Sequence, residues 1–175
     1  MEVHSKDLSN ILQSLSIDVQ LINHPEVFTV EMMMPYLEDC VGVVCKNLFV
    51  KDKKKRLWLI VARHDRNFKL ADVAKQISAQ GGLRFADETT LLEKLGVKQG
   101  CVTPLAVYQD KDCSVKVVLD SSLVENLERM IYCHPMSNAA TVGIKSSDFI
   151  KFLKHTGHDP VVLNFEGWVN IILTL

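Results

Sequence analysis

The central part of the chain contains two apolar runs rich in valine and leucine, Cys40 to Val50 and Leu57 to Ala62. A polar and strongly basic run, Lys51 to Arg56, separates them. Short apolar runs on either side of a polar turn predict a β-hairpin. The basic tip could contact RNA phosphates, although a solvated, charged tip is the commoner arrangement for such a run. A β-sheet is therefore the centre of the predicted fold.

Five other segments carry apolar residues at helical spacing, and cap residues mark some of their ends. In the first, Leu8, Ile11 and Leu15 are three and four positions apart, which places them on one helix face. Thr29 is positioned as an N-cap, and Gly96 as the glycine that ends a helix. The predicted helices are Asp7 to Leu15, Thr29 to Leu37, Leu70 to Ile77, Asp87 to Leu95 and Ser146 to His155.

Short apolar runs predict the remaining strands. These are Val19 to Ile22, Leu83 to Phe85, Leu105 to Tyr108, Ser114 to Leu119, Arg129 to Cys133, Ala139 to Ile144 and Val161 to Asn164. Strands and helices alternate too irregularly for a regular parallel βαβ series. We therefore expect an α/β (α+β) fold, a single domain with a central mixed, mainly antiparallel sheet surrounded by helices.

Length and charge limit the possible functions. The 175 residues suit one domain. Twenty Lys and Arg against 21 Asp and Glu give a net charge of −1, which argues against binding to nucleic acid through overall basicity. Five cysteines without a CxxC pair indicate neither a disulfide framework nor a zinc site, and we expect a reducing cytoplasm, no metal and no cofactor. No apolar stretch approaches the roughly 18 residues of a membrane span, so a soluble protein is expected.

The signatures of common enzyme classes are absent, including the phosphate-binding GxxxxGK[ST] and GxGxxG, the zinc-protease HExxH and the hydrolase GxSxG. Cys45 and Cys133 lie in apolar strand patterns, where cysteine usually acts as a small hydrophobic residue rather than a nucleophile. Three polar features remain: Lys46 within a strand, the loop Gly100 to Pro104, and the segment His134 to Thr141. Taken singly, each is also compatible with an ordinary solvated strand or turn.

Together with Asn23-His24-Pro25, these features resemble the YbaK and prolyl-tRNA synthetase associated domain family. Gly100 to Pro104 fits the family's GxxxP motif, and His134 to Thr141 fits its HPxxNxAT pattern. The similarity covers almost the whole chain. It predicts an editing domain over residues 1–166 and leaves 167–175 as an apolar tail without an assigned role.

The resemblance implies a trans-acting aminoacyl-tRNA deacylase that clears alanine from the tRNA for proline. A pocket built for proline cannot exclude alanine by size, so a second site that admits only the smaller residue completes a double sieve. Water and the neighbouring ribose hydroxyl would supply the proton transfers. Partners would be the acceptor end of the aminoacyl-tRNA and prolyl-tRNA synthetase; the oligomeric state is left open.

The resemblance also implies the site residues. Lys46 would be catalytic, acting on the 3′-terminal phosphate or the ester, and His134 would be catalytic at the border of the aminoacyl pocket. Substrate-binding positions would be Asn47, Gly100, Cys101, Val102, Thr103, Pro104, Asn138 and Thr141. Two alternatives remain: a cysteinyl-tRNA deacylase, in which the substrate thiol attacks the ester, and a non-catalytic module that binds a tRNA acceptor end or a synthetase.

Overall fold

The structure is a computed structural model that describes residues 5–166. Residues 1–4 and 167–175 lie outside the described residues, and with them the predicted apolar tail. No helix in the described part of the chain is long and apolar enough to cross a membrane.

The described part of the chain contains five α-helices and eight strands. The helices are α1 (Lys6–Ser14), α2 (Val30–Met33), α3 (Leu70–Gln76), α4 (Glu88–Leu95) and α5 (Ser146–His155). The strands are β1 (Val19–Asn23), β2 (Val43–Lys51), β3 (Leu57–Arg63), β4 (Arg84–Phe85), β5 (Val115–Asp120), β6 (Met130–Cys133), β7 (Ala140–Lys145) and β8 (Val161–Leu163). Short 3-10 helices span Met34–Leu37, Pro104–Gln109 and Ser121–Leu123.

The eight strands form one sheet in the order β1-β7-β6-β2-β3-β5-β8, and β4 pairs with β2 as well. Among the described residues four pairings are antiparallel and three are parallel. The predicted hairpin is the antiparallel pair β2 and β3. The prediction of a mixed, mainly antiparallel sheet surrounded by helices is confirmed.

One predicted strand is wrong. Leu105 to Tyr108 belongs to a 3-10 helix that begins at Pro104. Thr103 caps this helix, because its hydroxyl accepts a hydrogen bond from the backbone N–H of Leu105. A short, fully buried apolar run has no period that distinguishes a strand from a buried helical turn. Here Thr103 and Pro104 favour the helix.

The basic hairpin tip is organised around a buried carboxylate. Asp52 is 1% exposed and accepts hydrogen bonds from the backbone N–H and the Nε of Arg56. The backbone N–H of Gln80 adds a third hydrogen bond. The polar run therefore closes the hairpin and attaches it to the segment after α3.

Helices cover both faces of the sheet, and alternate β2 side chains enter different cores. Cys45 and Phe49 belong to the largest apolar cluster, which includes side chains of α1, α4 and α5. On the other face, Val50 packs in a smaller cluster with α3. Val44 packs in a third cluster with α2. Position along β2 therefore decides which face of the sheet a side chain occupies.

Candidate functional site

The sheet is split beside β2. On the side of β2 opposite β3, β6 pairs with Val43 and Val44, and β4 pairs with Val50 and Lys51. Residues 45–49 have no strand pairing on that side among the described residues. A cavity of about 440 Å³ lies at this split, within the range of ligand-binding pockets.

The cavity brings together five of the residues predicted for the site. They are Lys46, Asn47, Gly100, Val102 and His134. The other predicted positions, Cys101, Thr103, Pro104, Asn138 and Thr141, do not line it. The first group comes from β2, from the loop after α4 and from the end of β6, so that three distant parts of the chain meet at one sheet edge.

Lys46 lies on the face of β2 opposite Cys45 and Asn47, because successive side chains of a strand alternate. Its ammonium donates a hydrogen bond to the carbonyl oxygen of Arg66 and lies 5.2 Å from the ring centre of Phe68. Burial lowers the pKa of Lys46, while three nearby carboxylates act in the opposite direction. The cation is therefore held beside the cavity by the loop that follows β3.

Asn47 connects β2 to the glycine-containing loop. Its side-chain Nδ2 donates a hydrogen bond to the carbonyl oxygen of Val102 at 3.1 Å. Its Oδ1 is buried without a hydrogen-bond partner among the described residues. A buried unpaired amide oxygen is unfavourable by about 1–3 kcal/mol, so this oxygen is an acceptor that a water or a ligand can satisfy.

The backbone of Asn47 also faces the split. The N–H of His64 donates to the carbonyl of Val44, and the N–H of Ala86 donates to the carbonyl of Phe49. In an antiparallel ladder, alternate residues direct both backbone groups to the same partner strand. The N–H and C=O of Asn47 therefore point away from β3, towards the cavity side of β2.

Only part of the GxxxP loop reaches the cavity. Gly100 has a φ of +87°, which favours glycine, and a Cβ there would lie 3.5 Å from Cδ1 of Phe28. Cys101 packs against the largest core, and Thr103 and Pro104 are buried at the start of their 3-10 helix. These three residues therefore fix the path of the loop and present Gly100 and Val102 to the cavity.

His134 presents a hydrogen-bond acceptor to the cavity. Its Nδ1 lies 2.9 Å from the carbonyl oxygen of Ala140, so Nδ1 carries the proton. Burial lowers the pKa of His134, and the positive charge that His24 can carry lowers it further, against the effect of the Ala140 hydrogen bond. The ring is consequently neutral near pH 7. Its Nε2 has no partner within residues 5–166 and keeps a free lone pair.

Thr141 and Asn138 support the site from behind. Oγ1 of Thr141 lies 2.9 Å from Nε2 of His24, whose ring stacks on Tyr36 with centres 5.3 Å apart. The carbonyl of Asn138 accepts a hydrogen bond from the backbone N–H of Val27. These contacts attach the segment before α2 to the His134 loop, so both residues act on the cavity indirectly.

Two cysteines form part of the cavity wall. Burial raises the pKa of the Cys45 thiol well above its usual value. Burial also raises the pKa of Cys133 to about 12, against a hydrogen bond with Thr103. Only the thiolate is an effective nucleophile, so both thiols act as small apolar groups at neutral pH.

Sequence reasoning missed much of the cavity rim. Phe28 and Phe85 line it, although they are 65% and 62% exposed. The remaining missed lining residues include Met33, Glu88, Leu91 and Gln99. The sequence carried no specific signal for the two phenylalanines, because an apolar residue just before a helix N-cap is also common in helices without a binding site. No cluster of three or more metal-binding side chains occurs in residues 5–166.

The split sheet and its cavity define an α/β domain with a pocket of ligand size. The chain matches the model of the aminoacyl-tRNA editing domain over residues 24–152. It therefore belongs to the aminoacyl-tRNA editing domain family, which confirms the resemblance drawn from the motifs.

Named relatives agree with this family. The Bos taurus prolyl-tRNA synthetase associated domain-containing protein 1 is 52% identical over 161 residues, covering 91% of this chain and 94% of that protein. The prolyl-tRNA editing protein ProX of Acetoanaerobium sticklandii is 34% identical over 148 residues, covering 84% and 88%.

Solved structures share the fold. The crystal structure of a hypothetical protein has a TM-score of 0.71 at 16% identity, covering 91% of this chain and 98% of that one. A candidate trans-editing enzyme for prolyl-tRNA synthetase has a TM-score of 0.64 at 17% identity, covering 91% and 96%.

Proposed function

We propose that the protein hydrolyses the ester of mischarged aminoacyl-tRNA in trans, with alanyl-tRNA(Pro) as its substrate. The observation that carries this proposal is the cavity at the split beside β2, where Lys46, His134 and the edge of β2 surround a space of ligand size. A relative carries the name prolyl-tRNA editing protein ProX, which supports an editing role linked to the tRNA for proline. The acceptor end of the tRNA would occupy the site, in the cytoplasm, with prolyl-tRNA synthetase as a partner.

The chemistry requires water to attack the ester carbonyl carbon, after which the bond to the ribose oxygen breaks. The free Nε2 of neutral His134 accepts a hydrogen bond from the attacking water. The neighbouring ribose hydroxyl protonates the departing oxygen and regains a proton from the attacking water, so that both ribose hydroxyls are restored. The products are the free amino acid and a tRNA with an intact 3′ end.

Charge is placed for binding and for the transition state. The Lys46 ammonium stabilises negative charge at the terminal phosphate or on the ester oxygen. The backbone N–H of Asn47 points towards the cavity and would donate a hydrogen bond to the carbonyl oxygen of the ester. The carboxylate of Glu88, which lines the cavity, supplies a charge opposite to that of the α-ammonium group.

The cavity wall accounts for discrimination by size. Phe28, Met33, Phe49, Phe85 and Leu91 make much of it apolar. One added or missing methylene in an apolar pocket changes binding by only about 1–3 kcal/mol. A wall that fits the alanyl group would therefore disfavour the larger proline ring by steric conflict rather than by a specific polar contact.

Release of amino acid from alanyl-, cysteinyl-, seryl- and prolyl-tRNA tests the proposal. Hydrolysis of the alanyl ester with sparing of the prolyl ester is expected. Hydrolysis of the cysteinyl ester alone would instead indicate attack by the substrate thiol, a route that alanine lacks. Inactivity on all four esters would exclude the deacylase function, and measured tRNA affinity would then identify a binding module.

A further inference from the structure

The ammonium of Lys46 depends on one short loop for its position. The loop after β3 provides both of its described contacts, the carbonyl oxygen of Arg66 and the ring of Phe68. A lysine side chain has four rotatable bonds, so a defined ammonium position requires fixed neighbours. Whatever holds this loop also holds the cation.

Arg66 is anchored by two carboxylates. Its Nε donates to Oδ2 of Asp120 at 2.9 Å, and its Nη2 donates to Oε1 of Glu166 at 3.1 Å. Asp120 is fully buried, and its Oδ1 accepts the backbone N–H of Ser122. The backbone carbonyl that receives Lys46 therefore belongs to a residue whose side chain is fixed to the end of β5 and to the segment after β8.

Phe68 is anchored by the same segment. Its ring packs against the ring of Phe165, with centres 4.7 Å apart and planes tilted by 56°. Phe165 is 2% exposed and belongs to the smaller core under β3. Two adjacent residues, Phe165 and Glu166, thus support the two groups that contact Lys46.

We propose that Phe165 and Glu166 are positioning residues for Lys46, acting through Phe68 and Arg66. This inference rests on the proposed function of Lys46 in deacylation. It assigns a role in the reaction to a segment that lies outside the matched family region of residues 24–152 and does not line the cavity.

Two contributions follow from the arrangement. The Phe68 ring and the surrounding core exclude water from one side of the ammonium, and this strengthens its electrostatic effect. The Asp120 and Glu166 carboxylates bind the Arg66 guanidinium and so locate the Arg66 carbonyl. The charge of Asp120 also raises the Lys46 pKa, against the effect of burial. Loosening the loop should let the ammonium become hydrated and leave its place beside the cavity.

The first test measures Lys46 itself and needs no activity. Full-length protein labelled with ¹³C at lysine Cε is titrated by NMR, and the Lys46 signal is assigned from its absence in Lys46→Arg. Burial is the main cause that lowers the Lys46 pKa. The Lys46 pKa should therefore rise towards its ordinary value in each of the variants Phe165→Leu, Arg66→Lys and Glu166→Gln, because each loosens the loop. The matched control is Glu128→Gln, which removes another exposed ion pair, with Lys145 at 2.9 Å, and should leave the signal unchanged.

The second test is a double-mutant cycle on deacylation of alanyl-tRNA. Glu166→Gln and Phe165→Leu should each lower kcat by up to about tenfold with little change in KM, and neither should lower it further in a Lys46→Ala background. Equal effects in both backgrounds, or an unmoved Lys46 signal in the titration, would overturn the positioning role. Inactivity of the unmodified protein would overturn the proposed function, and the titration would still decide the positioning.

Discussion

The Nε2 atom of His24 lies 2.9 Å from Oγ1 of Thr141, across 117 residues of sequence. The Nδ1 atom of His24 lies 2.8 Å from the carbonyl oxygen of Pro25, which can only accept, so Nδ1 carries the proton. The hydroxyl of Thr141 also donates a hydrogen bond to Sδ of Met33 at 3.0 Å. The contact between His24 and Thr141 joins Asn23-His24-Pro25 to the end of the HPxxNxAT segment.

Thr141→Val should destabilise the protein by about 1–3 kcal/mol, because it leaves a buried ring nitrogen of His24 unpaired. Deacylation should fall as well, since His24 and His134 are neighbours with ring centres 6.2 Å apart. Urea denaturation and single-turnover deacylation measure the two effects. Thr141→Ser keeps the hydroxyl and should retain most of both, whereas equal losses in the two variants would show that the methyl group contributes as much as the hydroxyl.

The pH dependence of deacylation should follow His134. Its pKa is lowered, chiefly by burial, and the neutral ring is the form that accepts a hydrogen bond from water. The enzymatic kcat/KM, after subtraction of spontaneous hydrolysis, should therefore stay level around neutrality and fall only below the ordinary histidine pKa of about 6.5. His134→Ala should be slower and lack this acid limb. A rate that increases in acid would contradict the proposed role.

Lys46→Ala should lower kcat by at least about 100-fold, as expected when a charge that stabilises the transition state is removed. Lys116→Ala provides the control, because Lys116 is an exposed lysine of β5 that does not line the cavity. Single-turnover rates on alanyl-tRNA measure the difference. Similar rates for the two variants would remove Lys46 from the mechanism.

Gly100→Ala should lower both stability and activity. The added Cβ meets Phe28 only at ordinary contact distance, so the cost comes from the positive φ and amounts to about 1–2 kcal/mol. Gly82→Ala has a similar φ of +80° and open space around its Cβ. Thermal unfolding should show comparable losses in both variants, and deacylation should fall in Gly100→Ala alone if the loop positions substrate.

Glu88→Gln should raise KM several-fold at nearly constant kcat. The exposed carboxylate at the rim would attract the α-ammonium group of the substrate equally in the ground state and in the transition state. Glu93→Gln is the matched control on the same helix, exposed and away from the cavity. Steady-state kinetics at low and high salt measure both. An unchanged KM in Glu88→Gln at low salt would show that the α-ammonium group binds elsewhere.

The sequence alone predicted the elements that have a clear period or a cap. Examples are the hairpin, the helices with Thr29 and Asp87 as N-caps, and the left-handed Gly96. Each of these depends on interactions among a few residues that are neighbours in the sequence. The motifs also indicated the family, because several ordered patterns on one chain are more specific than any single one. The strand prediction for Leu105 to Tyr108 was wrong because a buried apolar run has no such local signal.

Only the tertiary structure decided which residues form the site. Strand alternation predicts that Lys46 and Asn47 lie on opposite faces of β2, but it cannot show that the cavity reaches both. That depends on the sheet order, in which β6 and β4 pair with the two ends of β2 and leave its middle uncovered. Distant pairing likewise decided that Thr141 supports the site from behind and that Phe28 and Phe85 form its rim. Local sequence fixes which way a side chain points, whereas only long-range packing fixes what it points at.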